Sequence, residues 1–364
     1  MRVVEPTVVL RHHPEQHYST IFNCRTGFFV RIEDSGYCEP KWAKLGPELI
    51  DISITNWCDR GCAICYRRSN THGRHMSLLA YRSILSQAAK IGVMQVALGG
   101  GNPNQHPSFL KILQVTREDY GVVPTYTTNG RGLTRQIVEA SLKYCGAVAV
   151  TAHTPYNEMA SAVRRLVAAG VRTNVHFVLD EHSVNTAIKW LKAPPKLLDG
   201  INALVFLNYK PVGRMRNARG LLRHSPRLQE FFQFACSSNH RFRIGFDSCL
   251  VSGLTTFSRV NPVWFDACEA ARFSMFISED SLAFPCSFMK STFEGFRVEK
   301  GNLQKIWQKS LLFQKTRRLL FDSTCKGCPH SLVCMGGCPL FEEINLCSVQ
   351  RSHGLSSLAD RAGQ

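Results

Sequence analysis

The chain has 364 residues, a hydrophobic fraction of 44%, a formal net charge of +17 and 15 cysteines. That length fits one large α/β domain plus a smaller appendage with a real core, and no run of 18 apolar residues reads as a membrane span. The opening MRVVEPTVVLRHHPEQ lacks the apolar stretch and small-residue cleavage site of a secretory signal, so a cytoplasmic protein is expected.

Residues 1–47 read as an irregular N-terminal segment with one hairpin, TIFNC and FFVRI joined by a turn at Arg25–Gly27. From residue 48 short apolar strands alternate with amphipathic helices. Strands are expected at 49–55, 95–99, 124–128, 147–151, 173–179 and 203–209. Helices are expected at 77–91, 108–119, 133–145, 157–169, 183–193 and 225–237. Ser77 suits an N-cap and Gly92 a C′ position. Six successive βα units predict a parallel sheet with right-handed crossovers. Two units short of closure, they predict a TIM-like partial (β/α)6 barrel over 48–238. After about 240 the repeat stops. A small cysteine-rich domain is expected over 239–348, with one helix near 302–320, followed by a loose tail at 349–364.

In a reducing compartment, 15 cysteines suggest metal binding or chemistry more than disulfides. Directly after the first strand of the repeat stands Cys58-Asp-Arg-Gly-Cys62-Ala-Ile-Cys65. Ligands of α/β sheets bind in loops at the C-terminal ends of strands. Three thiolates there can hold three irons of a [4Fe–4S] cube and leave the fourth open. A zinc site lacking one ligand, or coincidence in a cysteine-rich chain, is the competing reading.

This C-x3-C-x2-C loop in this setting resembles the radical S-adenosylmethionine (SAM) superfamily. The resemblance implies that SAM chelates the open iron and is cleaved to a 5′-deoxyadenosyl radical, the cofactor supplying the hard chemistry. Ile64 stands where the family has an aromatic near the adenine. Gly100-Gly101-Asn102-Pro103, followed by His106-Pro107-Ser108-Phe109, resembles the family's segment that holds the SAM amino group. Asn102 replaces the usual Glu, so backbone is expected to carry more of that contact. Thr128-Asn129-Gly130 resembles the family's turn after the third strand. Thr151 sits where a hydroxyl commonly faces SAM, and Asn174 or His176 is placed to reach ribose or carboxylate. Lys210-Pro211-Val212-Gly213-Arg214 resembles the P-x-G-R loop of peptide-modifying members, which makes Arg214 a candidate contact. Each of these polar residues has core packing or a solvated surface as its plainer reading.

Cys325, Cys328, Cys334 and Cys338 form C-x2-C-x5-C-x3-C, with Cys347 after them and Cys268 and Cys286 before. Zinc ribbons use paired C-x2-C knuckles, which does not fit this spread. The pattern resembles the SPASM extension of radical SAM proteins, with Ser281 in place of its glycine. The resemblance implies two auxiliary [4Fe–4S] clusters, an outer one on Cys325, Cys328, Cys334 and Cys347 and an inner one on Cys268, Cys286 and Cys338. Cys249 is the candidate fourth inner ligand; without it the inner cluster would have an open iron. Cys145 and Cys236 read as buried thiols, while Cys24 and Cys38 flank the hairpin.

The resemblance therefore implies three [4Fe–4S] clusters, SAM, and an electron donor such as flavodoxin or ferredoxin. The expected function is oxidative crosslinking, carbon–carbon or thioether, in a ribosomally made precursor peptide. An acidic leader would be steered to this basic chain. Asp247 is the candidate base. Only 46 residues precede the barrel, so leader recognition is expected to fall to the hairpin, the linker or a separate protein. Peptide epimerisation and anaerobic sulfatase maturation are the alternatives. RNA modification ranks lower, because the basic residues form no tract and no RNA-binding module is recognisable.

Overall fold

The computed structural model describes residues 7–347 apart from Asn217, Ser238, Ser323, Thr324 and Lys326; the expected tail lies outside the described residues. Strands β1 (Val8–His13), β2 (Tyr18–Asn23) and β3 (Phe29–Glu33) form an antiparallel sheet in that order, the last two being the expected hairpin. Asn23 shapes the turn, its Oδ1 accepting from the backbone N–H groups of Arg25 and Thr26 at 3.0 and 2.9 Å. Arg31 on β3 ties this sheet to the rest. Its guanidinium meets Glu48 at 2.7 Å and Asp266 at 3.3 Å, and it lies 3.5 Å from the Phe273 ring centroid.

The βα repeat follows as β4 (Leu49–Thr55), α1 (Leu78–Lys90), β5 (Gln95–Gly100), α2 (Phe109–Gln114), β6 (Val123–Thr128), α3 (Arg135–Tyr144), β7 (Val148–Thr151), α4 (Asn157–Ala168), β8 (Thr173–Leu179), α5 (Val184–Lys192), β9 (Ala203–Asn208), α6 (Leu228–Ala235) and β10 (Arg243–Phe246). Ser77 caps α1 by accepting from the Ala80 N–H at 3.1 Å, and Gly92 follows it at φ +88°. Beyond β10 come α7 (Val251–Phe257), β11 (Ser274–Ile277), β12 (Leu282–Phe284), β13 (Phe296–Arg297), α8 (Leu303–Lys309), α9 (Leu311–Phe321) and α10 (Ser331–Cys334).

The large sheet has ten strands in the order β10-β9-β8-β7-β6-β5-β4-β11-β12-β13, parallel from β10 to β11. All six expected strands are present, and the sheet is the partial barrel expected. It runs further at both edges than the sequence reading does. β10 continues the repeat past residue 238, and β11 pairs parallel with β4 on the other side. Both are four residues long and interrupted by polar residues or glycine, Arg243 and Gly245 in one and Ser274 in the other. The single helix expected near 302–320 is two, because Ser310 turns extended (ψ 139°) and its hydroxyl donates back to the Ile306 carbonyl at 2.6 Å. That break leaves Trp307 fully buried, donating to the Ala43 carbonyl at 2.7 Å.

Alternation along the strands separates two faces. Ile50, Ile52 and Ile54 of β4, and Val175, Phe177 and Leu179 of β8, pack into the helix-covered core. Asp51, Ser53 and Thr55, and Asn174, His176 and Val178, therefore face the barrel interior.

Candidate active site

Because β4 to β10 are parallel, their C-terminal ends share one edge, where sheets of this kind bind ligands. The loop after β4 carries Cys58, Cys62 and Cys65. Cys58 is buried and its N–H donates to the Asn70 carbonyl at 2.9 Å. The Cys65 Sγ accepts from the Ser69 N–H at 3.4 Å. Burial pushes the Cys62 thiol up, partly offset by Arg60, and Cys58 and Cys65 push it further; the three thiols thus share one electrostatic neighbourhood. Asn129 donates toward the Cys58 Sγ at 3.5 Å and toward Asp59 at 3.4 Å.

The glycines beside this loop permit close approach. Gly100 has φ +109°, and a Cβ there would lie 2.0 Å from the Thr55 carbonyl oxygen; one on Gly101 would lie 2.0 Å from that of Trp57. Asn102 is fully buried. Its Oδ1 accepts from the Thr128 hydroxyl at 3.0 Å and the Asn129 N–H at 3.1 Å, so its side chain ties the loops after β5 and β6 together. Arg214 is likewise occupied. It donates to the carbonyls of Cys62 and Ser69, and its N–H donates to the Cys65 carbonyl at 3.0 Å. The P-x-G-R loop thus clasps the cysteine loop.

Four other expected residues have these surroundings. Asn174 is the second residue of β8, toward the edge opposite the cysteine loop, and accepts from Asn202 at 2.8 Å; His176 is the residue opposite Thr151. Ile64 packs with Tyr209, Leu221, Cys338 and Ile344, between the first cysteine loop and a second thiol group. Asp247 pairs with Lys210 at 2.7 Å and accepts from the Asn208 N–H, so it is anchored as a counter-ion. Local spacing could not foresee these contacts, since each depends on a strand or loop distant in sequence.

The remaining candidate cysteines sort into two groups. Cys249 and Cys338 hydrogen-bond, and that bond together with burial holds the Cys249 thiol well above its ordinary value. Burial pushes Cys268 and Cys286 up to about 12 each, with Cys249 adding to both. Cys334 is pushed to about 11 by burial, then by Cys347, Cys325 and Cys328. The eleven candidates therefore gather as three, four and four. Cys24 packs with Phe22 and Met94, Cys145 and Cys236 pack against the main core, and Cys38 is exposed.

This donor set fits iron–sulfur clusters. Among the described residues no three His, Cys, Asp or Glu side chains close on a point where one ion could sit. A four-iron cube asks for something else, since each thiolate binds a different iron at its perimeter. Deprotonating such raised thiols requires a bound metal, so loading releases protons.

Several groups at this edge carry no motif. Lys210 is buried beside Cys249 and Cys338; burial alone would lower its pKa, but Asp247 and the thiols raise it. His153, after β7, lies 3.6 Å from the Cys62 Sγ, and burial holds it near 4, hence neutral. Glu279, after β11, accepts from Ser53 at 2.9 Å and pairs with buried Arg67 and with Lys290. Tyr66 lies against Phe288, ring centroids 4.7 Å apart and planes tilted by 44°. Asp51, on the interior face of β4, is pushed up to about 6 by burial alone.

A thiol-bearing loop at the open edge of a partial βα barrel defines a class, and comparison with known proteins names it. Residues 52–186 match the Radical SAM superfamily model. Over that stretch the chain carries a radical SAM domain, which makes it an enzyme and implies a [4Fe–4S] cluster and SAM. It is 22% identical over 312 residues to mycofactocin maturase MftC of Mycobacterium tuberculosis, covering 80% of this chain and 78% of that protein. It is also 22% identical over 305 residues to the PqqA peptide cyclase of Streptomyces rochei, covering 79% and 83%. Its fold is similar to that of SuiB from Streptococcus suis bound to S-adenosylmethionine, with TM-score 0.70, 16% identity, and 93% and 95% of the two chains covered. Among the described residues no helix is long and apolar enough to cross a membrane.

Proposed function

We propose that this enzyme matures a ribosomally made precursor peptide by oxidative crosslinking. The observation that carries the reading is the gathering of eleven cysteines into groups of three, four and four around one edge of the barrel. In this reading Cys58, Cys62 and Cys65 hold the SAM-binding cluster. Cys249, Cys268, Cys286 and Cys338 hold an inner auxiliary cluster, and Cys325, Cys328, Cys334 and Cys347 an outer one. Residues 48–238 act as the radical SAM domain and 239–348 as a SPASM domain, although β10 and β11 join the barrel sheet. When bound, the first cluster with SAM supplies the 5′-deoxyadenosyl radical, and the auxiliary clusters supply electron acceptance.

The protein's own residues do the positioning. Gly100 and Gly101 let the loop after β5 press against the cysteine loop, which favours backbone contact with the SAM amino group. Asn129 donates toward the Cys58 sulfur and Arg214 holds the Cys62 and Ser69 carbonyls, so the loop is pre-organised. Thr151 and His176 line the interior where substrate would lie. The buried Lys210 ammonium beside Cys249 and Cys338 offsets the negative charge that reduction brings to the inner group. A peptide substrate is favoured by the relatives' names, and by SuiB, whose structure was also determined bound to precursor peptide SuiA. A flavodoxin or ferredoxin would supply electrons, and an acidic leader would suit the net charge of +17.

The test is the high-resolution mass of a short peptide encoded beside the gene, co-expressed with the enzyme under low oxygen. Loss of about two mass units per ring, the stoichiometry of one H2, is expected. An unchanged mass with deuterium taken from D2O would replace crosslinking by epimerisation. No change by either measure would overturn the peptide reading and direct the search to protein or RNA.

A further inference from the structure

Ring closure poses a proton problem that the candidate base does not solve. If a carbon radical bonds to an aromatic carbon or a heteroatom, the atom attacked must lose its hydrogen. Asp247 is held by Lys210 at 2.7 Å and by the Asn208 N–H, and so serves the inner thiol group as a counter-ion. A proton acceptor for substrate should instead line the interior, carry no fixed cationic partner, and lie between the radical source and the electron acceptor.

Asp51 has these properties. It alternates with Ile50 and Ile52, which pack into the helix-covered core, so its carboxyl points into the barrel. It lies deep in the protein, though the residue as a whole is not fully covered. Its neighbours in the sheet offer no partner, since Ala97 and Phe276 stand beside it on β5 and β11. Its electrostatic field reaches Tyr66, which follows Cys65 directly, and Cys286 of the inner group. Its register partner Phe276 packs in the cluster that Cys286 flanks, which places the carboxyl near the inner group as well as near Tyr66. His176, also on the interior, stands opposite Thr151 on β7, and burial alone shifts it, with no thiol among the causes.

We propose that Asp51 takes the proton released when the substrate radical closes its new bond. The balance rests on the crosslinking reading. The abstracted hydrogen leaves in 5′-deoxyadenosine, and the carbon radical bonds to the partner atom. That atom's hydrogen leaves as a proton to the Asp51 carboxylate, and the surplus electron passes to an oxidised iron–sulfur group, the acceptor class that the inner thiols fit. Asp51 has no cation that would fix its charge, so it can return its proton to solvent between turnovers.

The test uses the full-length, cluster-loaded enzyme with SAM, dithionite and the co-encoded peptide in D2O. Asp51→Asn is expected to keep wild-type iron and wild-type 5′-deoxyadenosine formation. Closed product per 5′-deoxyadenosine should fall about 100-fold or more, the usual worth of a general base. The unclosed peptide should gain one deuterium as its radical is quenched, and Asp51→Glu should fall between Asn and wild type. A wild-type product ratio in Asp51→Asn overturns the assignment, as does a parallel fall in 5′-deoxyadenosine at full iron content. If Asp51→Asn does not fold, Asp51→Ser is judged by the same ratio. If the wild-type enzyme closes no ring, the crosslinking reading falls and takes this inference with it; a failure confined to the Asp51 variants leaves that reading standing.

Discussion

Gly213→Ala probes how the loop after β9 holds the first cysteine loop. Gly213 sits at φ +83°, and an added Cβ would lie 2.4 Å from the Cys65 carbonyl oxygen, 2.4 Å from the Tyr66 Cα and 2.5 Å from the Tyr66 carbonyl oxygen. All three are backbone atoms, so no side chain can swing aside, and the cysteine loop must retreat by about half an ångström or more. The left-handed backbone costs alanine about 1–2 kcal/mol, and overpacking adds about 1–3 kcal/mol. The total of about 2–5 kcal/mol is a large share of the roughly 5–15 kcal/mol that holds a domain together. It falls on the loop that carries Cys62 and Cys65, and it also displaces the Arg214 N–H from the Cys65 carbonyl. The expected result is a folded enzyme that loses its first cluster, about 8 irons per chain instead of about 12, with 5′-deoxyadenosine formation down in proportion. Gly27→Ala is the control. Its φ of +70° carries the same backbone penalty, but its Cβ would meet nothing within 4 Å, so iron should be unchanged. Wild-type iron and SAM cleavage in Gly213→Ala would refute the claim that this contact holds the site.

Two further outcomes follow from the same geometry. Cys249→Ala removes one of the four inner thiols; iron after anaerobic reconstitution should fall toward about 8 per chain, while uncoupled 5′-deoxyadenosine formation persists. Retained iron would mean that Cys249 is no ligand. Arg67→Met strips the buried guanidinium from Glu279, and about 3 kcal/mol of stability should go with it, read by denaturant unfolding. Arg67 and Lys290 hold the Glu279 carboxyl below its ordinary 4.5 against the opposing effect of burial. The wild-type protein should therefore keep this contribution above about pH 4.5 and lose it as pH falls toward the lowered folded value. A difference between wild type and Arg67→Met that does not shrink over that range would refute the pairing.

Much of the scaffold was legible because its signals are local. Five of the six strands span six or seven residues and the four-residue β7 lies in the apolar run AVAVT, while Ser77 and Gly92 punctuate α1 through their own backbone preferences. β10 and β11 escaped because they are as short as β7 but interrupted by polar residues or glycine, Arg243 and Gly245 in one and Ser274 in the other. The break at Ser310 escaped because it is driven by the burial of Trp307 against the Ala43 carbonyl, 264 residues away in the chain. Motif matching placed Arg214 and Asn102 at this edge of the sheet, and only the structure shows the hydrogen bonds by which their side chains hold loops together. Lys210, Glu279, His153 and Asp51 have no spacing signature, because a lone charged or polar residue in a strand or loop looks the same whether it faces solvent or the barrel interior.

The sequence by itself determined the βα order, the position of the first three thiols after a strand, and the local spacing of Cys325, Cys328 and Cys334. These are properties of short stretches, where backbone geometry sets what neighbouring side chains can reach. The grouping of the later cysteines was suggested by a family resemblance and not by their spacing alone, and its physical cause lies in the tertiary structure. Cys338 lies four residues after Cys334 yet sits with Cys249, because the tight turn at Gly336 and Gly337 (φ +75° and +71°) carries it to the other group. The same holds for Asp51, whose neighbours Phe276 and, through it, Cys286 come from β11 and the loop after β12, more than 220 residues away in the chain.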